Sequence, residues 1–236
     1  MGVDHELLVL LRPSLGNFNH TSRRGGILAY QPERGKLWST IEDMNEALSE
    51  RWNACVKPGD IIYHLGDFAW RGVPGTVTDV EGILKRLNGQ KFLIIGTHDA
   101  EAVRLKKYWC QQILIKSVEI EGQHVVMGHY AQRVWSRSHF GSFFLYGHSH
   151  GHLPPFGKSF DIGVDTCHGE GHVPYSPYSW DEVKTMMASL VDNWVDERYT
   201  KREERICHVT PSCEDVTRCR PHEEDGPVED NKGRKK

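Results

Sequence analysis

No run of apolar residues in this sequence approaches the length of a membrane span. Leu7 to Leu11 is apolar, but it is too short for a signal h-region and has acidic Asp4 and Glu6 before it. Position 6 is Glu6 rather than the Ser or Thr that myristoylation after Met1-Gly2 would require. Strong charge of one sign is lacking too: the formal net charge is −3, so nothing calls for a polyanion partner. Close cysteine pairs are missing. Cys55, Cys110 and Cys167 are scattered singly, as reduced thiols are. Cys207, Cys213, Cys219 and His222 form C-x5-C-x5-C-x2-H without the C-x2-C pairing typical of structural zinc. These absences point to a cytoplasmic protein with no membrane partner.

What remains is ordinary globular composition with one excess. Apolar residues make up 38% and charged residues 26% of 236 residues, enough chain for one medium α/β domain and a tail. Histidine, a frequent metal ligand, occurs fourteen times.

Periodicity predicts the elements. Ile41, Met44, Leu48 and Trp52 mark one face of a helix from Ile41 to Val56, capped by Ser39 or Thr40. Lys57-Pro58-Gly59-Asp60 is a turn, followed by a buried strand Ile61 to Leu65 that ends at Gly66-Asp67. A second helix, Val80 to Leu87, closes at Asn88-Gly89. Lys91 to Ile95 reads as a strand ending at Gly96-Thr97-His98-Asp99. Gln123 to Met127 and Ser142 to Tyr146 read as strands ending at Gly128-His129 and Gly147-His148-Ser149-His150. A strand from Ser159 to Val164 and a helix from Ser179 to Leu190, started by an N-cap serine, complete an α/β layered domain. From Asp196 to Lys236 charge, Pro and Gly dominate, so residues 196–236 are expected to be a disordered tail.

Four strand ends therefore carry a glycine followed at once or within two residues by Asp or His. Glycine permits the tight backbone geometry of a chain leaving a sheet, and ligands of open α/β sheets bind beyond the carboxyl ends of strands. A phosphoester hydrolase needs the phosphate charge neutralised and a water activated, which two divalent ions roughly 3.5–4 Å apart accomplish. Asp67 suits a bridging carboxylate, and imidazoles suit Mn, Zn or Fe. His148 and His150 share a side if their segment is extended. His98 is placed to protonate the leaving oxygen. Each residue also has a plainer reading: a turn aspartate for Asp67, a surface loop for His148 and His150, a core histidine for His129, a loop residue beside Asp99 for His98. Arg133 could reach a phosphate or simply be solvated. Trp135, Trp180 and Phe143 read as core, and His64 and His152 as non-ligands near the site.

The four blocks resemble, in order, the GD, GNH(D/E), GH and GHxH motifs of the calcineurin-like metallophosphoesterases, and the flanking text is similar to small bacterial and phage members. Tyr30-Gln31-Pro32, Leu84 to Gly89 and Phe160 to Asp165 belong to that flanking text, and the likeness runs from about Ile27 to Leu190. The resemblance implies a four-layer αββα sandwich over residues 27–195, one or two divalent ions (Mn²⁺ first, otherwise Zn²⁺ or Fe) and a phosphoester substrate, nucleic acid entering only as substrate. It assigns Asp67 and His150 to one metal, Asp67, His129 and His148 to the other, and the catalytic acid to His98.

Two positions depart from the pattern. Thr97 stands where the family has a ligating Asn. The opening D-x-H falls on Asn19-His20-Thr21 when counted back without gaps, and Arg24 replaces a further His. Pro13 and Gly16 make Arg12 to Gly16 a poor strand. Residues 1–26 are thus a divergent segment whose abrupt transition near Ile27 suggests an unnatural start. The first metal site is expected to be weak or empty, and the alternative to an active hydrolase is a silent relative serving as a binding or scaffold module.

Overall fold

The computed structural model of the chain describes residues 7–9, 27–69, 80–166 and 172–190. The tail at 196–236 and the block Asn19-His20-Thr21 lie outside the described residues, as do the N-terminal positions other than 7–9.

In chain order the elements are β1 Leu7–Val9, α1 Ile27–Tyr30, α2 Pro32–Leu37, α3 Ile41–Cys55, β2 Ile61–His64, α4 Val80–Arg86, β3 Gln90–Ile94 and α5 Ala100–Arg104. They continue with β4 Gln111–Ile113, β5 Ile115–Ile120, β6 Gln123–Gly128, β7 Phe143–Tyr146, β8 Ser159–Asp161, β9 Tyr178–Ser179 and α6 Trp180–Ser189. The first sheet runs β4-β3-β2-β1-β9, parallel except for β9; the second runs β5-β6-β7-β8, with β6, β7 and β8 parallel. This is the mixed α/β class expected from the sequence.

Alternation along the strands explains the layering. Ile62 and Leu93 face Met44, Leu48, Trp52, Ile83 and Leu84, so α3 and α4 cover one face of the first sheet. The next residues along, Tyr63 and Ile94, pack with Val125, Met127, Leu145 and Phe160 of the second sheet. Trp180, Val183 and Met187 of α6 join that inter-sheet core. Val126 and Phe144 point the other way and meet Trp135, from the segment after β6. The core role read for Trp135 and Trp180 holds.

The helices start where the caps dictate. The Thr40 hydroxyl accepts from the Asp43 amide at 3.1 Å, and the α3 face predicted by spacing is the buried one. Helix α6 opens with a complete capping box: the Ser179 hydroxyl accepts from the Glu182 amide, and the Glu182 carboxylate accepts from the Ser179 amide at 2.7 Å. The second Glu182 oxygen accepts from His172 Nδ1 at 2.8 Å. Burial works to raise the Glu182 carboxyl, but the Ser179 amide and the His172 bond outweigh it and lower it below the ordinary glutamate value. Ser179→Ala is therefore expected to cost about 1 kcal/mol in urea unfolding at neutral pH. Because the folded Glu182 titrates below the unfolded group, its share of that stability is present above about pH 4.3 and lost as pH falls further. A Glu182→Gln variant should accordingly converge on the wild type in acid. A constant difference at all pH values would contradict this.

Candidate metal centre

The carboxyl ends of β2, β3, β6 and β7 open on one place, and each delivers its residue through a glycine. At Gly66 φ is +91°, and a Cβ there would lie 2.5 Å from His129 Nδ1. A Cβ on Gly96 would lie 2.5 Å from both the amide and Oδ1 of Asp67. Only glycine lets the two strand ends and the His129 ring approach this closely.

Asp67, 1% exposed, is fixed from both sides. Its Oδ1 accepts the His98 amide at 2.8 Å. Its own amide donates to Asp99 Oδ2 at 2.8 Å, while the Gly96 amide donates to the same oxygen and the Phe68 amide to Asp99 Oδ1. Asp99 thus ties the β2 and β3 ends together. Burial pushes its carboxyl up to about 6 against the pull of these three amides.

His129 is 3% exposed, and its Nδ1 lies 2.8 Å from the Leu65 carbonyl. A carbonyl oxygen only accepts, so Nδ1 carries the hydrogen and Nε2 is the atom turned to the site. There Nε2 lies 3.5 Å from Asp67 Oδ2. A ring lone pair facing a carboxylate oxygen calls for positive charge near both, which a divalent cation held by His129 and Asp67 would provide. Metal-ligating histidines commonly donate their other ring N–H to a carbonyl in this way, as His129 does to Leu65. His148 completes the group: ligand atoms of Asp67, His129 and His148 all lie within 4.8 Å of one another. Two imidazoles and one carboxylate suit Mn²⁺, Zn²⁺ or Fe²⁺. Among the described residues this is the one such cluster.

Three of the sequence-predicted residues hold left-handed backbone: Asp67 at φ +55°, His148 at +65° and His150 at +49°. Such conformations cost about 1–3 kcal/mol each in non-glycine residues and collect at functional sites.

His150 lies outside the three-residue cluster. With both His148 and His150 in left-handed turns, the segment is not extended, and the alternation that would put them on one side does not operate. Instead His150 Nδ1 is 2.6 Å from Asp165 Oδ2. Arg34 grips the same carboxylate with two bonds, Nε to Oδ1 at 2.6 Å and Nη2 to Oδ2 at 2.8 Å. Burial alone would raise the Asp165 carboxyl; the Arg34 charge and the His150 bond reverse that and hold it well below the usual carboxylate range.

No family model matches the chain. An uncharacterized protein of Methanocaldococcus jannaschii is 24% identical over 172 residues, 70% of this chain and 83% of that protein. A solved protein of unknown function from Aquifex aeolicus superposes with a TM-score of 0.49 at 21% identity, covering 67% of this chain and 90% of its own. A phosphoesterase from E. coli, Yfce, gives 0.36 at 17% identity over 54% and 78% of the two chains. A novel archaeal phosphodiesterase gives 0.33 at 19% identity over 52% and 73%. All three scores are below 0.5, so the activity has to be read from the site itself.

The remaining predicted residues are placed as follows. His98 is held by its backbone beside Asp67. Thr97 presents its hydroxyl 2.7 Å from the Tyr130 hydroxyl and 3.5 Å from His129 Nε2. Arg133 lies over the Phe156 ring, 4.9 Å from its centroid. His64 is buried against Phe68 and Trp109. The sequence points to no role for Arg34 or Tyr130, and Asp165 stands in it only as flanking text. The signal for Tyr130 was its place directly after His129; Arg34 and Asp165 carried none.

Proposed function

We propose that the chain is a metal-dependent phosphoester hydrolase of the calcineurin-like metallophosphoesterase kind, acting as a phosphodiesterase or phosphomonoesterase. The observation that carries this reading is the meeting of Asp67, His129 and His148 at the ends of β2, β6 and β7, with His129 Nε2 turned toward Asp67. When bound, a divalent cation there neutralises phosphoryl charge and lowers the pKa of a water. The chain supplies the rest. Asp67 and the two imidazoles orient the cation, Leu65 sets the His129 tautomer, and His98 delivers a proton to the leaving oxygen. His150, fixed by Asp165, belongs to the side of the site where the resemblance puts the first ion. Because D-x-H is missing from the sequence, that ion is held weakly.

Stripping the protein with a chelator and restoring Mn²⁺ is the test, read with bis-p-nitrophenyl phosphate and by metal content. Hydrolysis should vanish on stripping and return with Mn²⁺, and about one ion per chain should survive gel filtration. Two tightly held ions would overturn the weak-site reading. Mn²⁺ uptake without any hydrolysis would favour the second reading, a binding module, which the engagement of His150 by Asp165 and of Thr97 by Tyr130 also suits.

A further inference from the structure

We propose that Tyr130 is a substrate-binding residue, its hydroxyl set by Thr97 to donate a hydrogen bond to a phosphoryl oxygen at the cation cluster. This rests on the phosphoester reading of the site and adds a group that reads the phosphate itself.

Tyr130 is 54% exposed, although it directly follows a buried ligand at the end of β6. Its ring is nonetheless confined: it meets His129 edge-on at 4.8 Å between centroids and tilts against His148 at 4.5 Å. A tyrosine held by two ligand rings has its hydroxyl aimed with little rotamer freedom left to lose. That hydroxyl ends 2.7 Å from Thr97 Oγ1, and Thr97 Oγ1 is 3.5 Å from His129 Nε2. The phenol oxygen therefore sits at the rim of the place where a cation and its phosphate would meet.

Hydrogen bookkeeping links the pair to the cation. Each hydroxyl brings one hydrogen and accepts through its lone pairs. With Nδ1–H committed to Leu65, His129 Nε2 is an acceptor facing Thr97. In that state Tyr130 donates to Thr97, and the Thr97 hydrogen turns toward Nε2. With a cation bound, Nε2 would give it the ring lone pair and no longer accept from Thr97. The Thr97 hydrogen then swings to the phenol oxygen, and the phenol hydrogen points outward to an anionic acceptor. Only hydroxyl rotors move; no group changes charge. Thr97 suits this duty because one hydroxyl oxygen both accepts and donates.

The experiment is calorimetric titration of the Mn²⁺-loaded protein with inorganic phosphate, alongside Mn²⁺ titration of the stripped protein. Tyr130→Phe keeps the ring and removes the donor. It should weaken phosphate by about 10- to 100-fold, the range for a hydrogen bond to a charged group, and leave Mn²⁺ affinity unchanged. Thr97→Val should weaken phosphate in the same direction, and Thr97→Ser should restore it. Phosphate affinity equal to wild type in Tyr130→Phe would overturn the proposal. So would a matching loss of Mn²⁺ affinity, since Tyr130 would then serve the cation, and so would a wild type that takes Mn²⁺ but no phosphate. Hydrolysis by the wild type is scored separately. Phosphate binding lost in Tyr130→Phe by a protein without turnover supports Tyr130 and sinks the hydrolase; turnover with unaltered phosphate binding in the variant does the reverse.

Discussion

Replacing His98 with alanine is expected to lower metal-dependent hydrolysis of an alkyl phosphoester by about 10²- to 10⁴-fold, the contribution of a positioned general acid. The His98 amide donates to Asp67 Oδ1, which pins the residue beside the cluster at the start of the turn leading into α5. Alanine retains that amide, so the Asp67 carboxylate, the Asp99 clamp on Gly96, Asp67 and Phe68, and the uptake of Mn²⁺ should all persist. The leaving group provides the internal control. A p-nitrophenolate departs with little help from a proton, whereas an alkoxide needs one. The rate loss in His98→Ala should therefore be much smaller for bis-p-nitrophenyl phosphate than for the alkyl ester. Equal losses for both substrates would deny His98 the acid role, and lost Mn²⁺ binding would move it into the cation's coordination instead.

The parts legible in the sequence were those governed by local rules. Thr40 and Ser179 announce the starts of α3 and α6, and Ile41, Met44, Leu48 and Trp52 announce a face. Glycines before Asp67, His129 and His148 announced strand ends, and parallel strands in two facing sheets bring such ends to one rim. What could not be read depends on contacts remote in sequence or on departures from regular backbone. β1 is three residues held by pairing to β2 and β9, and Leu7-Leu8-Val9 has no period long enough to declare it. The strand paired to β2 therefore lies at Leu7–Val9, upstream of the Arg12 to Gly16 stretch whose Pro13 and Gly16 make it a poor strand. The left-handed φ at His148 and His150 removes the alternation on which their shared facing was expected. The link from Asp165 to His150 spans 15 residues and that to Arg34 spans 131, and an arginine inside a short helix begun by Pro32 reads as a surface residue until its burial is seen.

Arg34→Met should destabilise the fold by about 3–5 kcal/mol, the cost of leaving one partner of a buried ion pair unmatched. The Arg34 side chain has no exposure and that of Asp165 only 8%, so water cannot take over when either is removed. The guanidinium is also packed at two more points: Nη1 approaches Met44 Sδ at 3.7 Å, and the Tyr175 ring lies 5.8 Å from its central carbon. Methionine refills most of the apolar volume, which isolates the charge effect from a cavity effect. The double variant Arg34→Met with Asp165→Asn decides between the two. If the penalty comes from a stranded carboxylate, removing that charge as well should recover much of the stability, and a double-mutant cycle in urea should give a coupling of about 1–3 kcal/mol. If the double variant is as unstable as the sum of the singles, the arginine acts through packing alone. The same cycle reports on His150, whose Nδ1 hydrogen bonds to the carboxylate that Arg34 holds in place. If Asp165 depends on Arg34 to hold that ring in place, loss of stability and loss of affinity for the weakly held ion on the His150 side should appear together in Arg34→Met. Their separation would show that the ion pair supports the fold and not the site.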